Sequence, residues 1–363
     1  MTNEELQSKT INWLRFPLIA MVVLAHTVTD DDTLREYVSL IDYKHLSGMD
    51  VSNLTRFLLS AVVPYVIVPC FFMFSGFLFF YKTKNVWNRN IYLGKIKSRI
   101  KTLLIPYLLW NIIPVALVAL LAFMKFDGSL RSIMNELQEK GILKIFWNYY
   151  HEAFVSYPYN APLWYVRDLI IVALCSPLVY YFVKYTKLLG TVILGILFFV
   201  GNARFPVVAF FFTFGAYFAV HGRNMIMELR KGRWIWLCST VITLILSVYY
   251  TGSDKYIYPF ILFNIFGCFV TINIASRLIE RGYVTINRSS FLSRTGFFIY
   301  AAHGMILRTC IKLLNITFNS TGALILGVKF FLAPAVCVSV CVALYWIADK
   351  TVPKLLGILT GSR

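Results

Sequence analysis

An arginine and a histidine in the first apolar stretch are the residues whose types and spacing most directly suggest chemistry. Arg15 and His26 are eleven residues apart, which in an α-helix is a rotation of about 1,100°, or three turns plus about 20°. Both side chains therefore share one helix face and lie about 16 Å apart along the axis. A charged group inside a membrane span costs several kcal/mol unless it is paired or hydrated. This face is expected to line a polar cavity or to meet polar partners.

A second arginine and an aspartate, Arg167 and Asp168, stand at the start of a later apolar stretch, at the depth expected for His26. As sequence neighbours they point about 100° apart on a helix, so we expect poor pairing between them. One of them could reach the first span. A carboxylate beside His26 would orient the imidazole ring and stabilise its protonated form.

Each of these residues also has a purely structural interpretation. The side chain of Arg15 could extend to the cytoplasmic headgroups, and His26 could form no more than a hydrogen bond between helices. Arg167 and Asp168 could form a structural lock near the membrane interface. The shared face and the matched depths favour the functional interpretation.

The composition excludes several classes of protein. Hydrophobic residues make up 58% of the 363 residues and charged residues 14%, against about 45–50% and about 25% in soluble domains. This excludes a soluble protein, a disordered chain and a coiled coil, because one globular core of this length cannot bury so much apolar surface. The sequence predicts an all-α, polytopic membrane helix bundle forming a single domain over residues 1–363. About ten transmembrane helices are predicted at about 10–29, 57–81, 102–124, 163–183, 188–202, 205–220, 234–251, 256–276, 295–311 and 322–348, with a turn at Pro206.

The distribution of charge predicts the orientation. The net charge is +18, and in a membrane protein Lys and Arg accumulate in cytoplasmic loops. The segment from Lys82 to Lys101 holds seven basic residues and no acidic one. Both termini and the even-numbered loops are therefore predicted to be cytoplasmic. The same pattern explains the positive charge without a nucleic-acid partner, so none is expected.

Five segments of the chain resemble, in order, the acyltransferase-3 family of integral membrane acyltransferases. They are Asn12-Trp13-Leu14-Arg15 followed by His26, Pro69 to Leu78 (Pro-Cys-Phe-Phe-Met-Phe-Ser-Gly-Phe-Leu), Ile105 to Trp110, Leu163 to Leu169 and Phe298 to His303. Two departures stand out. Asn12 occupies a position where the family often has Asp, and the basic loop from Lys95 to Lys101 replaces an Arg-x-x-Arg motif, which removes part of the bidentate recognition that Arg provides.

The resemblance implies transfer of an acyl group, usually acetyl, from cytoplasmic acyl-CoA to a hydroxyl of an extracytoplasmic or lipid-linked cell-surface glycan. The enzyme would lie in the bilayer of a bacterial inner membrane with acetyl-CoA as cosubstrate. In this interpretation His26 is the general base and Asp168 offsets the charge that develops on it. Arg15 lines the path of the CoA arm or binds a phosphate at its mouth. The seven cysteines form no Cys-x-x-Cys pair, and no metal is expected.

Further residues are candidates for binding the donor or the acceptor. Arg167 could hold a sugar oxygen or the developing oxyanion. The others are Trp164, Lys97, Arg99, Lys101, Tyr300, His303 and Ser75. Lys97, Arg99 and Lys101 would meet the nucleotide phosphates from the cytoplasm. The positive-inside pattern is the structural alternative for the three basic residues, and close helix packing is the alternative for Ser75. Trp164 and the tyrosines from 149 to 165 could form an interfacial aromatic belt or a surface on which sugars stack.

A secondary transporter or flippase for a sugar-linked substrate is the main alternative. It would also have many helices and buried His, Arg and Asp. Transporters often show paired halves, whereas residues 1–180 and 181–363 show no such symmetry. A receptor or scaffold would not need Arg15 and His26 on one face. Many relatives carry a fused esterase-like domain, and none is expected in the 15 residues after the last predicted span.

Overall fold

The chain folds into a bundle of long helices with one short β-hairpin. The structure, a computed structural model, describes residues 1–28, 31–81, 83, 86–125, 135, 137–152, 155–201, 204–284 and 291–362. In chain order the helices are α1 (Asn3–Ala25), α2 (Asp31–Ser39), α3 (Gly48–Phe57), α4 (Ile67–Phe80), α5 (Arg89–Arg99), α6 (Ile105–Lys125), α7 (Lys144–Trp147), α8 (Trp164–Leu174), α9 (Ser176–Gly201), α10 (Arg204–Val220), α11 (Met225–Lys231), α12 (Arg233–Tyr249), α13 (Ile257–Glu280), α14 (Phe291–Thr317), α15 (Ala323–Thr351) and α16 (Pro353–Thr360).

Helix α1 lies at the centre of the bundle. It begins with a capping box in which Thr2 accepts a hydrogen bond from the Glu5 backbone and the Glu5 carboxylate accepts one from the Thr2 backbone. Its buried side chains divide between two apolar clusters, with Leu14 in one and Val23 in the other. The predicted active face of α1 is therefore held between two packed halves of the protein.

Two glycines bring α4 and α10 into backbone contact. A Cβ atom at Gly76 would lie 1.9 Å from the carbonyl oxygen of Phe212, and one at Gly215 would lie 1.9 Å from that of Met73. Small residues permit such close approach between membrane helices. Close helix packing, the structural alternative named for Ser75, therefore applies to the next residue, Gly76.

Each of the ten predicted spans falls on helical structure in its described residues, and the second and fourth each run across more than one helix. The fourth and fifth predicted spans meet inside α9, where Lys187 has a φ of 52° and breaks the helix. Among the described residues, six helical runs are long and apolar enough to cross a membrane, or seven if α11 and α12, bent by 73°, form one span. The chain is thus a multi-pass membrane protein. The count of ten and the cytoplasmic location of both termini stay predictions.

The turn predicted at Pro206, between the fifth and sixth spans, stays a prediction, because residues 202–203 lie outside the described residues. Helix α10 begins at Arg204, so Pro206 lies in its first turn, where Pro is tolerated. The described part of the chain is overwhelmingly helical, as predicted, and adds a short hairpin in which β1 (Tyr150–Glu152) pairs antiparallel with β2 (Val155–Tyr157). Strands of three residues are too short to show an alternating pattern in the sequence.

Candidate active site

A large cavity runs along α1. It has a volume of about 1640 Å³ and is lined by α1 residues from Asn12 to Ala25, then by His26 and Val28 just beyond the helix. The helical part is about 20 Å long at 1.5 Å per residue. Pockets for drug-sized ligands usually measure about 300–1,000 Å³. We call one end of the cavity the basic end, lined by Arg15, Arg99 and Arg294, and the other the tyrosine end, lined by Tyr150, Tyr157 and Tyr159.

Arg15 and His26 both line this cavity, as their spacing predicts. Ile19 and Val22 line the cavity between Arg15 and His26. Along this face the wall therefore changes from a cationic side chain to apolar side chains and then to the imidazole of His26. Among the described residues that line the cavity there is no aspartate or glutamate. The basic end is therefore a site of positive potential, which favours an anionic ligand.

Of the three basic residues predicted to meet a nucleotide, Arg99 lines the cavity, whereas Lys97 and Lys101 are exposed and do not. Residues two apart on a helix point about 200° apart, so the three cannot share one direction. The Arg99 guanidinium lies 5.4 Å from the centre of the Phe79 ring, a cation–π contact that helps to orient it. Arg294 is a cavity residue that the motif analysis missed.

The middle of the cavity is polar and aromatic. The hydroxyls of Ser75 and Tyr165 are 3.0 Å apart. Ser75 therefore faces the cavity, whereas the next residue, Gly76, packs against α10. Trp164 and Tyr300 also line the wall, and the Tyr300 hydroxyl donates to the carbonyl oxygen of Pro162. Ser75, Trp164 and Tyr300 are thus brought together, while their roles in binding stay predictions.

His26 lies beside a second histidine. The ring centres of His26 and His303 are 5.1 Å apart at an angle of 65°. Nδ1 of His26 lies 2.8 Å from the Val22 carbonyl oxygen, so Nδ1 carries the hydrogen and the neutral ring presents its lone pair at Nε2. His303 is fully buried, and its Nδ1 lies 2.7 Å from the Tyr300 carbonyl oxygen. His303 thus packs behind the candidate base.

Arg167 and Asp168 form an ion pair, which corrects the expectation of poor pairing. Nε and Nη2 of Arg167 lie 2.9 and 2.8 Å from Oδ1 of Asp168, and both residues are buried. The arginine side chain is long enough to fold back over its neighbour. Its Nη1 donates to the carbonyl oxygens of Trp147 and Ser156, at 2.8 and 3.2 Å, so Arg167 also anchors the hairpin.

Neither member of this pair is among the residues that line the cavity. Arg167 bonds to Asp168 and to the carbonyl oxygens of Trp147 and Ser156, contacts that fit the structural lock named as its alternative role. Asp168 forms its ion pair with Arg167. Its position as the partner of His26 therefore stays a prediction.

Asn160 is a buried polar residue that the sequence analysis missed. Its backbone N–H donates to the side-chain oxygen of Asn111, and its Nδ2 donates to the carbonyl oxygens of Trp110 and Ala301, each at 3.0 Å. These bonds join α6, α14 and the segment before α8 at the cavity wall. The available signal was an asparagine in apolar surroundings just before Pro162, since a buried amide must find such partners.

Comparison with known proteins identifies the class. Residues 8–346 match the sequence profile of the family described as an acyltransferase domain, the acyltransferase-3 family. Because the match covers most of the chain, the protein belongs to this family. The chain is 26% identical over 373 residues to the succinoglycan biosynthesis protein ExoH of Rhizobium meliloti (strain 1021), covering 98% of this chain and 92% of that protein. No solved structure matches the chain.

Membership of this family confirms the resemblance that the five motifs carried. It makes the protein a membrane acyltransferase and does not favour the transporter alternative. The acyl donor, the acceptor and the roles of individual residues stay predictions.

Proposed function

We propose that the protein is a membrane O-acyltransferase that moves an acyl group, first of all acetyl, from cytoplasmic acyl-CoA to a hydroxyl of a cell-surface or lipid-linked glycan. The family supplies the reaction class. The relative's name places it in succinoglycan biosynthesis, which favours a polysaccharide acceptor here and a place in a bacterial inner membrane. The observation that carries the proposal is one cavity holding Arg15 and His26, about 16 Å apart along α1.

The basic end suits the donor. Arg15, Arg99 and Arg294 line it, and guanidinium groups bind phosphate oxygens through two parallel hydrogen bonds. The nucleotide phosphates of acyl-CoA would bind there, and the extended pantetheine arm would lie along α1 past Ile19 and Val22. The thioester would then reach His26.

At the other end of this path His26 acts as general base. Nε2 takes the proton of the acceptor hydroxyl as its oxygen attacks the thioester carbonyl carbon. The new C–O ester bond forms, the C–S bond breaks, and the thiolate of CoA takes the proton back from Nε2 to leave as the thiol. The hydroxyls of Ser75 and Tyr165 line the path of the arm.

The tyrosine end suits the acceptor. Tyr150 and Tyr159 lie with ring planes 30° apart and centres 6.4 Å apart, and Tyr149 contacts both. Aromatic faces with hydroxyl groups at their edges present apolar and hydrogen-bonding surface together. This end would admit a sugar to His26, as the sugar-stacking interpretation of these tyrosines requires.

Calorimetry with the purified full-length protein tests the donor assignment. Acetyl-CoA and CoA are titrated into the wild type, Arg15→Ala and Arg233→Ala, the last removing an exposed arginine that is not on the cavity wall. We expect saturable binding of both ligands and a loss in Arg15→Ala of at least about tenfold, or about 1.4 kcal/mol. Arg233→Ala is expected to bind like the wild type.

Folded wild-type protein that binds neither ligand would overturn the CoA assignment. Equal weakening by both arginine variants would show a general effect of charge and would remove Arg15 from the donor site. Folding is checked in each case by size-exclusion profile and melting temperature.

A further inference from the structure

The cavity wall on α14 leads to an arginine that has no role in the steps above. Phe297, Tyr300, Gly304 and Arg308 all line the cavity, and their spacing of three and four residues places them on one stripe of the helix. Gly296 lies next to Ile19, and His303 lies next to His26, so α14 runs parallel to α1. Arg308 therefore lies about 7.5 Å further along the axis than His303, toward the tyrosine end.

Arg308 marks an opening in the side of the bundle. It is exposed, and within the part of the chain that the structure describes it forms no ion pair. Leu117 and Val118 of α6 also line the cavity and are 45% and 40% exposed. Residues that face both the cavity and the outside define a portal. Asn160 joins α6 to α14 at Trp110 and Ala301, and Leu117 and Arg308 each lie seven residues further along, so this portal lies between the two helices.

The chemistry of this portal is specific. A guanidinium on a lipid-facing surface costs several kcal/mol unless it reaches the interface or meets an anion. Lys312, one turn further on the same face, is exposed as well and adds a second cation. Around them Leu117 and Val118 offer apolar contact. Cations beside an apolar rim fit a phosphate attached to a lipid chain.

We propose that the portal formed by Arg308, Leu117 and Val118 binds the phosphate of a lipid-phosphate-linked glycan. The lipid chain stays in the bilayer outside α6 and α14, Arg308 holds the phosphate, and the attached sugar enters the cavity toward His26. This assignment rests on the acyl transfer proposed above and narrows its acceptor from any surface glycan to one still joined to its lipid carrier.

A binding experiment without acyl donor tests the assignment. The full chain is placed in nanodiscs of phosphatidylcholine, and binding of a polyisoprenyl monophosphate is measured by native mass spectrometry. The matching polyisoprenol, which lacks the phosphate, and phosphatidylglycerol at equal mole fraction are the comparison ligands. The variants are Arg308→Gln, Arg308→Lys and Lys329→Gln, the last removing a lysine near the start of α15 that is not on the cavity wall.

We expect the wild type to bind the monophosphate at least about tenfold more tightly than the alcohol, a difference of about 1.4 kcal/mol. Arg308→Gln should abolish this preference, Arg308→Lys should reduce it because the bidentate geometry is lost, and Lys329→Gln should keep it. Equal binding of alcohol and phosphate by the wild type would overturn the proposal even if no variant folds. Equal binding of phosphatidylglycerol would show that Arg308 meets ordinary headgroups.

The failure of this proposal is distinguishable from the failure of the proposed function. Loss of the phosphate preference with intact acetyl-CoA binding would leave acyl transfer standing and point to an acceptor without a lipid carrier. An intact phosphate preference in a protein that binds no acyl-CoA would leave the portal standing and remove the donor.

Discussion

The side chain of His26 is held from two sides, by the hydrogen bond from Nδ1 to Val22 and by the ring of His303. The bond to Nδ1 lies at the C-terminal end of α1, where the Val22 carbonyl oxygen also accepts the backbone N–H of His26, at 3.3 Å. It fixes one tautomer and leaves the basic nitrogen on the opposite side of the ring. A residue that must take and return a proton gains from such orientation, because a misplaced base loses rate steeply.

His26→Ala is expected to reduce acyl transfer by about 10²–10⁴-fold, the usual contribution of a positioned general base. Acetyl-CoA affinity should stay within twofold, since the proposed site of its phosphates is the basic end. The measurement is transfer of labelled acetyl to a glycan acceptor, beside calorimetry on the same protein. His221→Ala is the matched control, because His221 makes the same bond to a carbonyl four residues earlier but lies off the cavity. Full activity in His26→Ala would exclude it as the base.

Asp168→Asn tests whether the ion pair with Arg167 is structural. Removing one partner of a buried pair leaves the other charge uncompensated and costs about 3–5 kcal/mol, so the melting temperature should fall. Because Nη1 of Arg167 also bonds to Trp147 and Ser156, amide exchange in the hairpin should rise. A lower rate of acyl transfer without any change in melting temperature or hairpin exchange would instead support the role beside His26.

At the scale of elements, the sequence predicts where the helices lie better than it predicts which side chains meet between them. Spacing alone places Arg15 and His26 on one wall, because Arg15 lies in α1 and His26 directly follows its last residue as the C-cap. The pairing of Arg167 with Asp168 could not be predicted in this way, since it depends on how a flexible side chain folds back once hairpin carbonyls are available. Arg294 and Asn160 escaped notice because their importance arises from contacts between segments far apart in sequence.

Gly76→Ala tests the contact between α4 and α10. The new Cβ would lie 1.9 Å from the Phe212 carbonyl oxygen, and rigid backbone must move, so we expect a loss of about 1–3 kcal/mol, as for other overpacked sites. Thermal unfolding in detergent measures it. Gly327→Ala in α15 is the control, because a Cβ there meets nothing within 4 Å and Ala favours a helix by about 0.5–1 kcal/mol. Equal melting temperatures for the two variants would contradict the contact.

At the scale of the whole molecule, one cavity connects groups from distant parts of the sequence, among them α1, α4, α8, α13 and α14. The membrane class and the helix positions follow from composition and hydropathy, because lipid imposes them on every span. The number of crossings does not follow, because short apolar helices such as α10 could cross or return.

Cysteine labelling of intact spheroplasts tests whether the fifth and sixth predicted spans, which are the part of α9 after Lys187 and α10, both cross the membrane. In a background with Cys175 and Cys238, the exposed cysteines, changed to Ser, we introduce Gly201→Cys and Arg223→Cys at either end of α10. If these two spans both cross, a membrane-impermeant maleimide should label Gly201→Cys from outside and Arg223→Cys only after permeabilisation. Glu36→Cys in the first predicted outer loop is the positive control.

Protection of Gly201→Cys until permeabilisation would make the segment re-entrant and reduce the ten predicted spans to eight. The parity of the remaining spans would be unchanged, because residues 187 and 223 would lie on one side in either case. The basic end would therefore still face the cytoplasm, where acyl-CoA is made, and His26 would still face the acceptor. Labelling of Arg223→Cys from outside would be the damaging result, since it would reverse the later loops and separate the positive charge from the cytoplasm.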